Sequence, residues 1–258
     1  MRPALSKMLA EPSKERKTRI VRCAICPNPD PSSLEFFVSQ ISSACASLAE
    51  ALLDDPFYRA VTVESGEDEE RRQGVLAQYF ELAIAEADGI GEVHYANADG
   101  AAIWHTNEAH SDDIAAYVKA RKQGLAALLG DAGFGNYLRI SESMAEHAPP
   151  HLADAWYLSI PGVRRAARGR GLAQHLIEMT LRRADLRGAT CFLETFNPLS
   201  LPFYQRLGFS DEIRCFERVT GRNYWILTRH AVSPTSQWAA SRSHDQAIAV
   251  VYRSEISG

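Results

Sequence analysis

Apolar residues fall near helical spacing over residues 34–53, with Phe37, Ile41, Leu48 and Leu52 on one stripe, and Asp54-Asp55-Pro56 closes the run, which predicts a helix. A second stripe of Leu76, Phe80, Ala83 and Ala87 predicts another, ending at Gly89 to Gly91. Ser65 and Asp68, three apart, form a capping-box-like entry to it, and the acidic run 67–70 suits the positive end of a helix dipole. Ahead of both, residues 20–26 alternate as a strand does, until Asn28-Pro-Asp-Pro31 breaks it. Two short β-like runs, 93–95 and 101–105, flank Asn97-Ala-Asp-Gly100, a hairpin signal. A third helical pattern covers 115–129, and the next stretch, with Gly130, Gly133, Gly135 and Pro149-Pro150, reads as part helix and part loop. A strand at 155–160, a glycine loop, a helix, a strand at 189–195, a short helix and two strands complete the order to Arg229. The order from residue 20, β-α-α-β-β-α-β-α-β-α-β-β, is a mixed α/β layer architecture.

At 258 residues the chain is expected to form one principal domain, over 20–230, after a polar, unpatterned tail at 1–19 and before an extension at 231–258. The net charge of −4 argues against a nucleic-acid partner. The longest apolar run, 247–252, is far shorter than the roughly 20 residues a membrane span requires, so no membrane role is expected. Arg and Lys in the first 19 residues are interrupted by Glu11 and Glu15 with no apolar segment after them, unlike a secretory leader. Five cysteines, an odd number in a chain of this length, point to a reducing, cytoplasmic setting. Cys23 and Cys26 lie in the alternating run without a second cysteine pair, so they read as strand residues and no metal site is expected.

The most informative stretch is the passage from an apolar strand into Arg164-Arg-Ala-Ala-Arg-Gly-Arg-Gly-Leu-Ala173 and directly into a helix. Glycines there let backbone N–H groups converge, and a helix N-terminus adds partial positive charge, so the loop is an anion cradle suited to phosphate. In that helix Leu172, Leu176 and Met179 are expected to face the core, with Glu178, Arg182 and Asp185 opposite. Neither a Gly-x-Gly-x-x-Gly dinucleotide fingerprint nor a P-loop is completed, since residue 174 is Gln.

The loop instead resembles the Arg/Gln-x-x-Gly-x-Gly/Ala signature of the GCN5-related N-acetyltransferase (GNAT) superfamily, matched by Arg168, Gly171 and Ala173. A strand, then Asn197, then Phe203-Tyr204 and Gly208-Phe209 resemble that family's second half, and Asp54-Asp55-Pro56 and Leu193-Glu194-Thr195 resemble its branch containing puromycin N-acetyltransferase. The resemblance implies a GNAT fold, a twisted, mostly antiparallel sheet of about seven strands flanked by helices. It implies acetyl-coenzyme A as co-substrate, held by Ile160, Gly162, Val163, Arg168, Gly169, Arg170, Gly171, Leu172, Ala173, Asn197 and Tyr204. It also implies acetyl transfer to a small-molecule primary amine, with Tyr204 as general acid and the chain a monomer or homodimer.

Glu194, mid-strand and facing away from Leu193, is the candidate base, directly or through water, because a carboxylate on a buried sheet needs a partner or a task. His105 and His151 are the alternatives. One departure stands out: where the family takes a backbone N–H for the thioester oxygen, this chain has Pro161, which has none. That keeps a non-catalytic acyl-CoA-binding protein open as a second reading and a protein acetyltransferase as a third.

Overall fold

The computed structural model describes residues 31–232, the first seven of them by backbone alone. The strand expected at 20–26 with Cys23 and Cys26, the tail 1–19 and nearly all of the 231–258 extension lie outside the described residues. Three helices come first, α1 (Pro31–Leu52), α2 (Pro56–Val61) and α3 (Glu69–Ile90), then the hairpin β1 (Gly91–Tyr95) and β2 (Gly100–His105). They are followed by α4 (Ser111–His147), β3 (Trp156–Val163), α5 (Leu172–Arg187), β4 (Cys191–Thr195), α6 (Leu201–Arg206), β5 (Asp211–Glu217) and β6 (Arg222–Arg229).

The six described strands form one sheet in the order β1-β2-β3-β4-β6-β5. Every pairing is antiparallel except β3 with β4. Six rather than about seven is the count among the described residues, since the seventh was the run at 20–26. One face of the sheet carries α1 to α4 over a core of Leu48, Val61, Leu76, Phe80, Ile103, Leu125 and Ile160. The other carries α5 over Trp104, Trp156, Leu158, Leu176, Ile177, Leu193 and Phe209. Side chains of this kind, nearly all below 5% exposure, each contribute about 1.5–3 kcal/mol of transfer free energy, so the two layers hold the sheet from both sides.

Three local expectations change. The helix α3 is capped by Asp68, whose Oδ1 accepts from the Arg71 amide at 2.9 Å, while Ser65 lies in a preceding 3-10 turn; no Ser65–Asp68 box forms. The stretch after Leu129 is helical through to His147. Gly130 takes φ +68°, kinks α4 there, and Glu64 Oε1 accepts from the Ala132 amide at 2.8 Å, recapping the second half. On α5 the buried arc is Leu176, Ile177, Thr180, Leu181 and Ala184, about a quarter turn from the expected stripe at 100° per residue. Met179 is therefore exposed, and Asp185 is half-buried in a two-pronged ion pair with Arg229, both contacts 2.8 Å.

The feature that makes a site is a parting of strands. β3 pairs with β4 only from Trp156 to Leu158, opposite Cys191 to Leu193, and then runs on to Val163 beside β2 alone. Ser159 is an extra residue between Leu158↔Trp104 and Ile160↔Ile103, a bulge that reverses which face the following side chains take. Leu158 accordingly packs toward α5 and Ile160 toward α1 and α3.

Candidate active site

Where β3 leaves β4 the sheet opens into a cleft of about 1390 Å³, walled by β3, β4, α6, the α1–α2 junction and the second half of α4. Pro161 lies on this wall, paired with Ala102 of β2 and with no β4 residue opposite it. Its ring therefore interrupts no central ladder.

At one end of the cleft is the glycine loop. Gly169 and Gly171 have φ of +77° and +75°, a conformation costly for any other residue, and the space a Cβ would enter is open at both. Gly171 is the N-cap of α5, and the first helical bond runs from the His175 amide to its carbonyl at 3.0 Å. The amides of Leu172, Ala173 and Gln174 precede that bond and point out of the helix end, the arrangement that receives an anion. The arginines hold the loop's shape: Arg168 donates from Nε to the Val163 carbonyl at 3.2 Å and from an Nη to the Ala51 carbonyl at 3.4 Å. Arg170 pairs with Asp99 at 3.5 Å, and Arg164 pairs with the same carboxylate at 2.5 Å. These arginines are therefore tied to backbone carbonyls and to Asp99, while the amides at the start of α5 are left without intrahelical partners.

The other end is aromatic and acidic. Leu193 packs into the α5 layer, so Glu194, next on β4, faces the cleft as the alternation required. The Tyr157 hydroxyl donates to Glu194 Oε2 at 3.0 Å, and burial pushes the carboxyl up to about 7, the hydrogen bond only partly offsetting it. Tyr204, on α6, lines the cleft while its ring packs against Phe203 and Phe209. Burial, reinforced by the Asp55 charge, raises its hydroxyl well above the ordinary tyrosine range. Asp55 is extended, as a residue before proline must be, and caps α2 by accepting from the Phe57 amide at 2.9 Å. Burial lifts its carboxyl to about 6.

Arg121 reaches in from α4 and donates to Glu86 at 2.6 Å and to the Tyr79 hydroxyl at 3.1 Å. His105 Nε2 lies 3.7 Å from Glu86, yet burial outweighs that carboxylate and lowers the imidazole's affinity for a proton.

Of the residues singled out in the sequence, Ile160, Gly162, Val163, Arg168, Ala173, Glu194, Asn197 and Tyr204 line one cleft, while Gly169, Arg170, Gly171 and Leu172 lie between the lining residues Arg168 and Ala173 and do not line it themselves. Asn197 Oδ1 accepts from the Leu199 amide at 3.0 Å and so shapes the turn after β4. His105 lines the cleft; His151 is exposed on a turn outside it. Sequence reasoning missed Tyr58, Tyr79, Arg121 and Tyr157, which come from four different elements and carry no local spacing that links them. Among the described residues no group of His, Cys, Asp and Glu is placed to hold a metal ion, and no helix is long and apolar enough to cross a membrane.

Residues 132–209 match the model of the Acetyltransferase (GNAT) family. A solved structure of a histone acetyltransferase HPA2 and related acetyltransferase from Corynebacterium glutamicum is 19% identical, over 76% of this chain and 94% of that one, with a TM-score of 0.50. Arylalkylamine N-acetyltransferase 2 from Aedes aegypti is 15% identical, over 76% of this chain and 96% of that one, with a TM-score of 0.46. The likeness to the first is one of fold, and the mixed sheet flanked by helices is the GNAT fold.

Proposed function

We propose that this GNAT-fold chain is an acetyl-CoA-dependent N-acetyltransferase that acetylates a primary amine of a small molecule by direct transfer. The observation that carries the reading is a single cleft whose two ends differ in chemistry: converging backbone amides at the start of α5, and a buried carboxylate and phenol on β4 and α6.

The residues fit the co-substrate. The open space before Gly169 and Gly171 is a cradle that a Cβ would partly fill, and the amides behind it are oriented for a pyrophosphate. Ile160, Gly162 and Val163 offer the free side of β3 to an extended pantetheine-like arm, since β4 has left that edge. When bound, acetyl-CoA supplies a thioester carbonyl and a thiolate leaving group. Glu194, with its carboxyl near neutrality, takes the proton that an ammonium must lose before its nitrogen is nucleophilic. Tyr204 Oη, kept protonated by burial, is the donor at the leaving-group end. Pro161 offers no N–H on this wall, so the following Gly162 and Val163 amides are the backbone donors to consider for the carbonyl oxygen.

The walls from α2, α3 and α4 favour a small acceptor over a folded protein substrate. The Asp54-Asp55-Pro56 and Leu193-Glu194-Thr195 fragments make a puromycin-like amine a reasonable first trial. Cys45 and Cys191 are free and buried, with burial raising both thiols to about 12, so neither serves as a nucleophile in the transfer. The second reading, an acyl-CoA-binding protein without turnover, is favoured by Pro161 alone. Titration of released thiol with acetyl-CoA and a panel of amines separates them. Amine-dependent release is expected, and acetyl-CoA binding without any release from any amine overturns the enzymatic reading.

A further inference from the structure

The acceptor end of the cleft is a mosaic of rings set edge to face. Phe57 meets Tyr58 with centroids 5.1 Å apart at 89°, Tyr79 at 6.4 Å and 74°, and Tyr137 at 6.4 Å and 72°. Tyr58 and Tyr79 are 5.4 Å apart at 85°. All four line the cleft; Phe57 and Tyr137 are half-buried and Tyr58 and Tyr79, buried behind them, hold them in place, and an aromatic guest gains from edge-to-face contact with such rings.

The charges at this end are equally one-sided. Arg121 is spent on Glu86 and Tyr79, and His105 is disfavoured as a cation by burial. Asp55 and Glu194 remain, and among the described residues neither forms an ion pair with a cation. They approach from opposite sides: Asp55 from the α1–α2 junction, where its charge is felt at Tyr58 and Tyr204, and Glu194 from β4, where it meets Tyr157. An N-cap needs only an oxygen acceptor, which Ser or Asn supplies as well as Asp does. A buried carboxylate at that position adds the cost of desolvation, a cost recovered when a cation lies beside it.

We propose that the cleft selects a primary amine carried on a flat aromatic body, its ammonium drawn in by the carboxylates of Asp55 and Glu194 and its ring received against Phe57 and Tyr137, backed by Tyr58 and Tyr79. This rests on the acetyltransferase reading above. A diamine would bring a second cation against Arg121 and the ring edges, where no carboxylate is free to meet it. A lysine side chain would bring no ring.

The test compares 2-phenylethylamine, n-butylamine, 1,4-diaminobutane and a lysine peptide as acceptors for the wild type, Asp55→Asn and Phe57→Leu, with thiol release, acetyl-CoA affinity by calorimetry and melting temperature all recorded. Wild type is expected to favour 2-phenylethylamine over n-butylamine by at least about tenfold in kcat/KM. Asp55→Asn, which keeps the cap, should raise KM for 2-phenylethylamine roughly 10- to 100-fold, with acetyl-CoA affinity unchanged and the fold no less stable than wild type. Phe57→Leu should erase the aromatic preference, bringing kcat/KM for 2-phenylethylamine down to within about twofold of that for n-butylamine measured on the same variant. An unchanged KM in Asp55→Asn, or a wild-type preference for the diamine or the peptide, overturns this inference and leaves the acetyltransferase reading standing. No thiol release with any of the four, nor with the wider amine panel, overturns both.

Discussion

Glu194→Gln is the sharpest perturbation because it sets stability and activity against each other. Burial in the cleft raises the Glu194 carboxyl from the ordinary 4.5 to about 7. A carboxyl held above its unfolded value binds its proton more tightly in the folded chain, so its favourable contribution is complete below pH 4.5 and is lost as pH rises through about 7. At about 1.4 kcal/mol per pH unit, the ionised carboxylate at pH 8 costs the fold up to about 3 kcal/mol relative to the protonated one. Glutamine keeps an oxygen to accept from the Tyr157 hydroxyl and cannot ionise. The variant should therefore melt higher than wild type at pH 8, by roughly 5–10 °C for a domain of this size, and no more than about 1–2 °C higher at pH 4.5. Acetyl transfer should fall by about 10²- to 10⁴-fold at pH 8, as expected on losing a general base. Thermal unfolding at both pH values, paired with single-turnover transfer, reads both effects. A melting difference of the same size at pH 4.5 and pH 8 refutes the reasoning, since only an ionisation makes it pH-dependent. A stabilised variant with full activity shows that the proton acceptor is elsewhere, with His105 next in line.

Acetyl-CoA at 100 times its dissociation constant should stabilise wild type by about 2.7 kcal/mol, and Gly171→Glu, which puts charge into the cradle at a φ of +75°, should abolish that shift while leaving the protein folded; a surviving shift places the ligand elsewhere. Tyr204→Phe should keep acetyl-CoA affinity and lower turnover by about 10²- to 10⁴-fold, whereas unchanged turnover makes Tyr204 a packing residue against Phe209. Pro161→Leu restores an N–H on the cleft wall and should speed single-turnover transfer without weakening coenzyme A binding, because β3 has no β4 partner there to disturb. Slower transfer by a folded, CoA-bound Pro161→Leu variant shows that the proline belongs to a working site.

From residue 34 on, the order of elements apart from the short α2, the hairpin at Asn97 to Gly100, and the glycine loop feeding a helix were legible in the chain, because each depends on neighbours a few residues apart. The facing of Glu194 was legible for the same reason, given a strand and its period of two. The turn of α5 was not: Met179 is exposed, and Asp185 turns inward because Arg229, 44 residues beyond it and itself buried, meets that carboxylate. Nor was the continuation of α4 past Gly130, which depends on Glu64 capping Ala132 from a distant turn.

The sequence by itself determined the two local features the molecule brings together, a glycine loop opening into a helix N-terminus and a strand carboxylate followed by a helical tyrosine. Only the tertiary structure decided that they share one cleft. The parting of β3 from β4 after Leu158, the bulge at Ser159 and the tyrosines and arginine gathered from α2, α3, α4 and β3 are products of packing between segments far apart in the chain. Burial then set the proton affinities of Asp55, Glu194 and Tyr204, because the cost of charging a group depends on what surrounds it and not on which residue precedes it.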